Sequence, residues 1–248
     1  AAPAKPAPIL TTPEARDVLT YARPEIARVT HVDLDLVADF ETKEMRGTAT
    51  LDILAAPGAK NIVLDDNGLV IGRITDAKGN PLKWSVGKRD EEKGAPLTVQ
   101  LNGQKRIVIH YRSMPDASAL QWLPPALTAG KAKPFLFSQG QSINNRSWIP
   151  TQDSPGIRQT WTARITVPEG LVAVMSGLRK TPKGVPAGKG KRAYSFAMDK
   201  PVPPYLIALA IGDLTFQSLG KRTGVWAEPA TIGKAAAEVA DTEKMVET

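Results

Sequence analysis

The sequence of 248 residues contains no cysteine and only two histidines, His31 and His110. The absence of cysteine excludes disulfides, thiol nucleophiles and thiolate metal sites. A catalytic zinc usually has three protein ligands, often including two histidines one helical turn apart. Each histidine here stands alone in a stretch that alternates between apolar and polar residues. We therefore interpret both as residues on the polar face of a sheet.

Other catalytic arrangements are missing as well. Ser138 and Ser142 have no histidine in their sequence neighbourhood, so nucleophilic catalysis has no support. The adjacent carboxylates at residues 65–66 and 90–92 stand beside Asn, Gly and Lys, and we interpret them as charged turns. No glycine-rich phosphate loop follows a strand. On its own residues, the chain is predicted to lack a catalytic centre.

Long hydrophobic runs are absent too. The longest, YLIALAIG at residues 205–212, is far shorter than the about 20 residues that a helix needs to span a bilayer. The sequence therefore predicts no membrane anchor.

The positive charge is concentrated in one segment. The net charge is +7, but residues 178–192 hold six basic residues and no acidic one, which leaves 26 basic and 25 acidic residues elsewhere. This segment is rich in Gly and Pro and has no aromatic residue on which a base could stack. It is predicted to be a solvated hairpin loop, with a weak polyanion contact as the alternative, and no nucleic-acid partner is expected.

From residue 28 onward the dominant period is two. Val32, Leu34 and Leu36 fall on one face of a strand, and Asp33 and Asp35 fall on the other. Many further short segments of this kind follow, separated by turn signals such as Asn-Gly. The pattern predicts an all-β domain of antiparallel sheets packed on one another, over residues 25–224.

The two ends of the sequence differ from this pattern. Residues 1–24 are rich in Ala and Pro and are predicted to be a flexible leader of an exported, periplasmic or secreted protein. Residues 225–248 are predicted to begin another domain. They include a helix with an apolar stripe through Ile232, Ala236, Val239 and Val246, and Thr231 could cap its start.

The stretch PFLFSQGQSINNRSWIPTQDSPG, residues 134–156, is unusually rich in side-chain amides. A strand is predicted to end at Ser138, with a long irregular connection after it. If the strand continued through Gly140, Gln139 and Gln141 would project from one face, and the glycine would let a ligand approach the backbone. The stretch is therefore either a recognition edge or a loop whose amides satisfy its own backbone.

Four segments carry a resemblance to a known family. Residues 118–156, 167–179, 202–214 and 222–229 closely resemble the N-terminal domain of the zinc aminopeptidase family that includes aminopeptidase N, in its leukotriene A4 hydrolase-like branch. The resemblance implies a saddle-like, largely antiparallel β domain that leans on a helical zinc domain. It also implies that the cleft between them holds peptide substrates.

The resemblance assigns roles to individual residues. It implies that Gln139, Gly140, Gln141 and Ser142 line the substrate cleft, near the free amino end of a bound peptide. Two further positions, Arg146 and Asp153, match a basic and an acidic position of the following loop. We expect them to form an ion pair that supports the glutamines.

The chain also departs from the family pattern. Residues 150–155 read Pro-Thr-Gln-Asp-Ser-Pro where relatives commonly have a cysteine. The Gly-x-Met-Glu-Asn strand and the His-Glu-x-x-His helix are missing. We therefore expect the zinc ligands of the parent protein beyond residue 248, on its own catalytic domain, and no activity or metal in this fragment alone.

A different reading of the sequence is a stand-alone β-sandwich module that binds carbohydrate or a protein. The five tryptophans would furnish its aromatic platform. They are Trp84, Trp122, Trp148, Trp161 and Trp226.

Overall fold

A computed structural model describes residues 16–248 of the chain. The strands of this part are β1 (Ala27–Asp39), β2 (Glu44–Ala55), β3 (Asn61–Asp66), β4 (Val70–Asp76), β5 (Trp84–Val86), β6 (Ala95–Gln100), β7 (Arg106–Arg112), β8 (Leu120–Leu123), β9 (Phe135–Ser138), β10 (Gln159–Pro168), β11 (Val172–Met175), β12 (Leu178–Arg179), β13 (Val185–Pro186), β14 (Lys191–Val202), β15 (Leu209–Gly212), β16 (Thr215–Ser218) and β17 (Gly224–Ala227). Two short helices follow, α1 (Ile232–Glu238) and α2 (Thr242–Glu247). The predicted all-β class is thereby confirmed.

The largest sheet has eight strands in the order β12-β14-β10-β1-β2-β7-β4, with β13 also paired to β14. Neighbouring strands of this sheet are antiparallel, with one exception. Strands β1 and β10 run parallel, from the pair His31–Thr160 to the pair Val37–Thr166. The sequence pattern predicts only antiparallel pairing. A period of two cannot reveal this exception, because parallel and antiparallel partners share the same alternation.

Besides the two-stranded sheet of β16 and β17, two smaller sheets pack with the large one, with strand orders β11-β15-β9-β8 and β3-β6-β5. Their buried side chains and those of the large sheet form one hydrophobic cluster. Leu34 and Leu36 are fully buried there, whereas Asp33 is exposed, as the alternation predicts. Burying one such leucine contributes about 1.5–3 kcal/mol, so this shared core holds the small sheets against the large one.

Both histidines lie in strands, as predicted. His31 in β1 is half-buried, and its Nδ1 lies 2.7 Å from Thr160 Oγ1. Burial lowers the pKa of His31 and of His110 below the usual value because it disfavours the charged ring. These rings are therefore sheet residues that are held mostly neutral near pH 7.

The N-terminal segment differs from the predicted leader where the structure describes it. Residues 1–15 lie outside the described residues. Residues 19–22 contact the β domain: the Tyr21 amide donates to Asp65 Oδ1 at 2.8 Å, and the Leu19 carbonyl accepts from Arg146 Nη1 at 2.9 Å. Ala22 is buried. These residues are held by buried polar partners that the sequence does not place beside them.

The C-terminal segment contains two helices instead of the single one predicted. The break lies at residues 239–241, between α1 and α2. Thr231 stands at the cap position, but its side chain makes no capping bond and donates instead to the Glu228 carbonyl at 3.2 Å. Of the predicted stripe, Ala236 is buried while Val239 and Val246 are exposed.

The predicted domain limit between residues 224 and 225 falls inside β17, which pairs with β16.

The basic segment 178–192 forms a hairpin in which β12 and β13 both pair with β14. No helix among residues 16–248 has the length and apolarity that a membrane crossing requires.

Candidate functional site

The amide-rich stretch leaves the sheet where the sequence predicts. Strand β9 ends at Ser138, and the next amide, that of Gln139, donates to the Ala119 carbonyl at 2.8 Å. Residues 139–144 then form a turn that we call the glutamine loop. Gln139, Gln141 and Ser142 are exposed on it, and Gly140 is buried. The glutamines therefore lie on an accessible rim of the four-stranded sheet β11-β15-β9-β8.

Two side-chain amides hold the backbone of the glutamine loop. Gln139 Oε1 accepts from the Gln141 amide at 3.0 Å, and Asn144 Nδ2 donates to the Gln141 carbonyl at 3.2 Å. The backbone also closes on itself, since the Asn144 amide donates to the Gly140 carbonyl at 2.9 Å. The peptide bond between Gln141 and Ser142 is cis. The strand does not continue through Gly140, so strand alternation does not place Gln139 and Gln141 on one face. The hydrogen bonds within the loop fix its conformation instead.

The two glutamines differ in which hydrogen-bonding groups of their side chains remain free of partners within the loop. Gln139 uses its carbonyl oxygen inside the loop. The side-chain amide of Gln141 makes no hydrogen bond to any residue between 16 and 248. Some amides therefore satisfy the loop backbone, whereas the Gln141 side chain leaves one acceptor and two donors exposed to solvent.

Gly140 is required by a contact within the chain. A Cβ atom placed on it would lie 2.4 Å from Asn145 Oδ1 and 2.9 Å from the Tyr205 carbonyl oxygen. Real side chains do not tolerate such distances. The expectation that the glycine makes space for a ligand is therefore not what the geometry shows, because Asn145 and Tyr205 fill that space.

Behind the loop lies a buried cluster of one cation and two carboxylates. Arg146 Nε is 3.4 Å from Asp153 Oδ2, and its Nη2 is 3.8 Å from Asp65 Oδ2. The three side chains are at most 1% exposed. Arg146 also donates to the carbonyls of Leu19 at 2.9 Å and Lys93 at 2.6 Å. The cluster therefore joins the N-terminal segment, a turn before β6 and the stretch after the glutamine loop.

The cluster carries more negative than positive charge when both carboxyls are ionised. Burial raises the pKa of Asp153 to about 6, and the nearby Arg146 opposes that rise. Burial likewise raises the pKa of Asp65, again opposed by Arg146. Within residues 16–248, Asp153 Oδ1 has no hydrogen-bond partner. One guanidinium is thus shared by two desolvated acids.

The interpretation of Asp65 as part of a charged turn is wrong. Asp65 is the penultimate residue of β3 and is fully buried, where it accepts from Thr20 Oγ1 at 2.5 Å and from the Asp153 amide at 2.9 Å. Because Asp65 follows Leu64 in β3, its side chain lies on the opposite face of the strand. Segments distant in sequence cover that face, and nothing local in NIVLDD signals this cover.

The tryptophans do not form a shared platform. Trp148 and Trp161 are fully buried in the core. Trp122 packs edge-on against Phe40, with ring centroids 5.1 Å apart. Trp84 lies on β5, and Trp226 packs against Phe216. The tryptophans mainly anchor the core and the hairpins, which gives no support to the carbohydrate-module reading.

The described residues offer no metal site: between positions 16 and 248 there is no group of three His, Cys, Asp or Glu side chains that could hold an ion. What the site can do chemically is bind and orient. Neutral amides on a fixed loop can accept hydrogen bonds from an ammonium group and donate to a peptide carbonyl.

The chain is therefore a largely antiparallel β domain of one eight-stranded sheet and three smaller sheets, with an exposed amide-rich loop beside the four-stranded sheet. The chain belongs to the Peptidase M1 N-terminal domain family, whose pattern matches residues 28–206. The family resemblance of the sequence is thereby confirmed.

Two curated relatives show the extent of the match. The chain is 34% identical to leukotriene A-4 hydrolase of Xenopus laevis over 93% of its own length and 39% of that protein. It is 35% identical to leucine aminopeptidase 2 of Yarrowia lipolytica over 93% of its length and 35% of that protein. The chain thus spans well under half of these relatives.

Solved structures give the same picture. Yeast LTA4 hydrolase in complex with bestatin superposes with a TM-score of 0.86 at 28% identity, over 96% of this chain and 37% of the other. An M1 zinc metallopeptidase from Deinococcus radiodurans, at 24% identity, has a TM-score of 0.61 over 82% of this chain and 46% of its own. The second likeness concerns the fold alone.

Proposed function

We propose that this chain is the substrate-cleft domain of a zinc aminopeptidase that removes N-terminal residues from peptides. The observation that carries the proposal is the exposed glutamine loop, fixed by its own hydrogen bonds within the region that matches the family. The described residues do not fit a zinc site. In the proposal, zinc therefore belongs to a catalytic domain beyond residue 248, which is the main partner of this one.

The role of this chain is to hold the free amino end of a peptide. Gln141 presents a neutral amide whose oxygen can accept from the peptide ammonium, while Gln139 holds the Gln141 amide in place. Gly140 and Ser142 shape the same turn. Because an amide has no charge of its own, it orients the ammonium without a strong ion pair and lets product leave.

The buried pair of Arg146 and Asp153 is proposed to support this loop. Arg146 directly follows Asn145, and its amide donates to Asp153 Oδ2 at 2.9 Å. The pair thereby fixes the chain that leaves the glutamine loop on its C-terminal side. A recognition side chain is useful only if its support is rigid.

The experiment uses the full-length gene product. We expect the reading frame beyond residue 248 to encode His-Glu-x-x-His, and the purified protein to release the amine from aminoacyl anilides. Gln141→Ala should raise KM by about tenfold, as for the loss of one hydrogen bond to a charged group. The matched control is Gln217→Ala, another exposed glutamine but on β16. A protein that lacks this activity, or an unchanged KM for Gln141→Ala, would refute the proposal.

We also propose an exported location, periplasmic or secreted. The Ala- and Pro-rich start of the sequence supports it. Fractionation of cells that express the full gene tests this independently of activity, and recovery only in the cytosol would contradict it.

A further inference from the structure

Asn145 is a fully buried polar residue directly behind the glutamine loop. It begins the short turn Asn145–Ser147. Its Nδ2 donates to the carbonyls of Pro204 at 2.5 Å and Ile207 at 3.1 Å, and its Oδ1 accepts from Trp148 Nε1 at 2.8 Å. The amide thus uses both donors and its acceptor. A buried group with this many partners is rigidly oriented.

The same amide lies against the glycine of the loop. A Cβ on Gly140 would stand 2.4 Å from Asn145 Oδ1 and 2.8 Å from its Cγ. Gly140 therefore rests on the Asn145 amide, and it separates Gln139 from Gln141. Any shift of the Asn145 side chain must be transmitted to the backbone between the two glutamines.

Asn145 also connects the end of the glutamine loop to the four-stranded sheet that contains β9. The residues that accept from its Nδ2 precede β15, which pairs with β9 where Ala210 lies opposite Phe137. Strand β9 in turn leads into Gln139. The glutamine loop is consequently tied to one sheet at its start through β9 and at its end through Asn145.

We propose that Asn145 is a positioning residue for recognition of the peptide amino end. This inference rests on the proposed function. Asn145 does not contact the peptide; it sets the place of Gly140 and hence the direction of the Gln141 side chain. Of the small side chains, only an amide supplies two donors for the carbonyls of Pro204 and Ile207 together with an acceptor for Trp148.

The first test measures the loop itself, by hydrogen exchange with mass spectrometry on the full-length protein. Asn145→Ala should speed exchange about tenfold in a peptide that covers residues 139–144, because the support of Gly140 is lost. Ile109→Val, a core change in β7, is the matched control and should leave that peptide unchanged. Equal exchange in Asn145→Ala and the wild type would overturn the inference, whether or not the protein is a peptidase.

The second test separates amino-end recognition from general damage. We expect Asn145→Ala to weaken inhibition by leucine hydroxamate about tenfold to a hundredfold, as for a misplaced binding group. Inhibition by acetohydroxamate, which has no α-amino group, should stay the same. An equal loss for both inhibitors, or no loss for either, contradicts the positioning role. A wild-type protein without peptidase activity refutes the proposed function, and the exchange result still decides whether Asn145 holds the loop.

A double substitution tests the contact between Asn145 and Gly140. Gly140→Ala alone should weaken leucine hydroxamate binding, because the new methyl group meets Asn145. In the Asn145→Ala background the methyl group has space on that side, so the combined loss should be smaller than the product of the single losses. Losses that multiply would show that the two residues act independently and would overturn the contact argument.

Discussion

Arg146 and Asp153 form an ion pair in which neither side chain is more than 1% exposed, with Nε 3.4 Å from Oδ2. The guanidinium also donates to the Asp153 carbonyl at 2.7 Å. Such a pair contributes little net stability by itself, because desolvation offsets the attraction. Its consequence is positional: the chain is fixed on the C-terminal side of the glutamine loop, and loss of one partner leaves buried charge uncompensated.

The first prediction concerns Arg146→Met. The change leaves Asp65 and Asp153 buried without a cation, and we expect the free energy of unfolding to fall by about 3–5 kcal/mol. Arg164→Met is the matched control, since Arg164 pairs with Asp35 on the exposed face of the large sheet, and it should cost less than about 1 kcal/mol. Urea denaturation monitored by tryptophan fluorescence measures both. Similar losses for the two variants would show that the buried cluster has no special importance.

The second prediction concerns pH and Asp153. Its folded pKa is raised to about 6 by burial, so between about pH 4 and 6 the folded state binds more protons than the unfolded state. The contribution of this group to stability is therefore largest at low pH and is lost as the pH rises through 6.

The measurement compares wild type and Asp153→Asn by urea denaturation at pH 4.5 and 7.5. Because the asparagine does not titrate, the stability of the wild type relative to the variant should fall between these two pH values. A relative stability that is constant, or that rises with pH, would contradict the raised pKa.

The strands and the start of the loop were predictable because their signals are local. Alternation in β1 and the end of β9 at Ser138 follow from neighbouring residues alone. The burial of Asp65 and the role of Asn145 were not predictable in this way. Both depend on segments more than forty residues away in sequence, namely Thr20 and Pro204. The family resemblance pointed to the glutamines and to the pair of Arg146 and Asp153, but it did not point to Asn145 or to Asp65.

The third prediction concerns Gly177, which precedes β12. A Cβ there would lie 2.7 Å from the Ala197 carbonyl oxygen and 2.8 Å from the Trp161 ring, and neither can move cheaply. Gly177→Ala should therefore lower the free energy of unfolding by about 1–3 kcal/mol, as for overpacking. Gly233→Ala in α1 is the control: its Cβ meets nothing within 4 Å, so the change should stabilise by up to about 1 kcal/mol. Thermal denaturation distinguishes the two, and equal midpoints would contradict the crowding.

The fourth prediction tests whether residues 19–22 belong to the β domain. Thr20 Oγ1 donates to the buried Asp65 Oδ2 at 2.5 Å. Thr20→Val keeps the shape and removes this donor, so we expect a loss of about 1–3 kcal/mol, the cost of leaving a buried acceptor without its donor. Thr50→Val on β2 is the matched control. Thr50 is half-buried in the middle of β2, and valine suits a strand.

The two valine variants are compared by urea denaturation at pH 7.5. A loss confined to Thr20→Val would show that the boundary of the folded domain lies before residue 19. Loss of the donor would also leave Asp65 more dependent on Arg146, so Thr20→Val and Arg146→Met should not be additive. If Thr20→Val matched Thr50→Val, the N-terminal segment would contribute nothing to the cluster, and the folded domain would begin near Ala27.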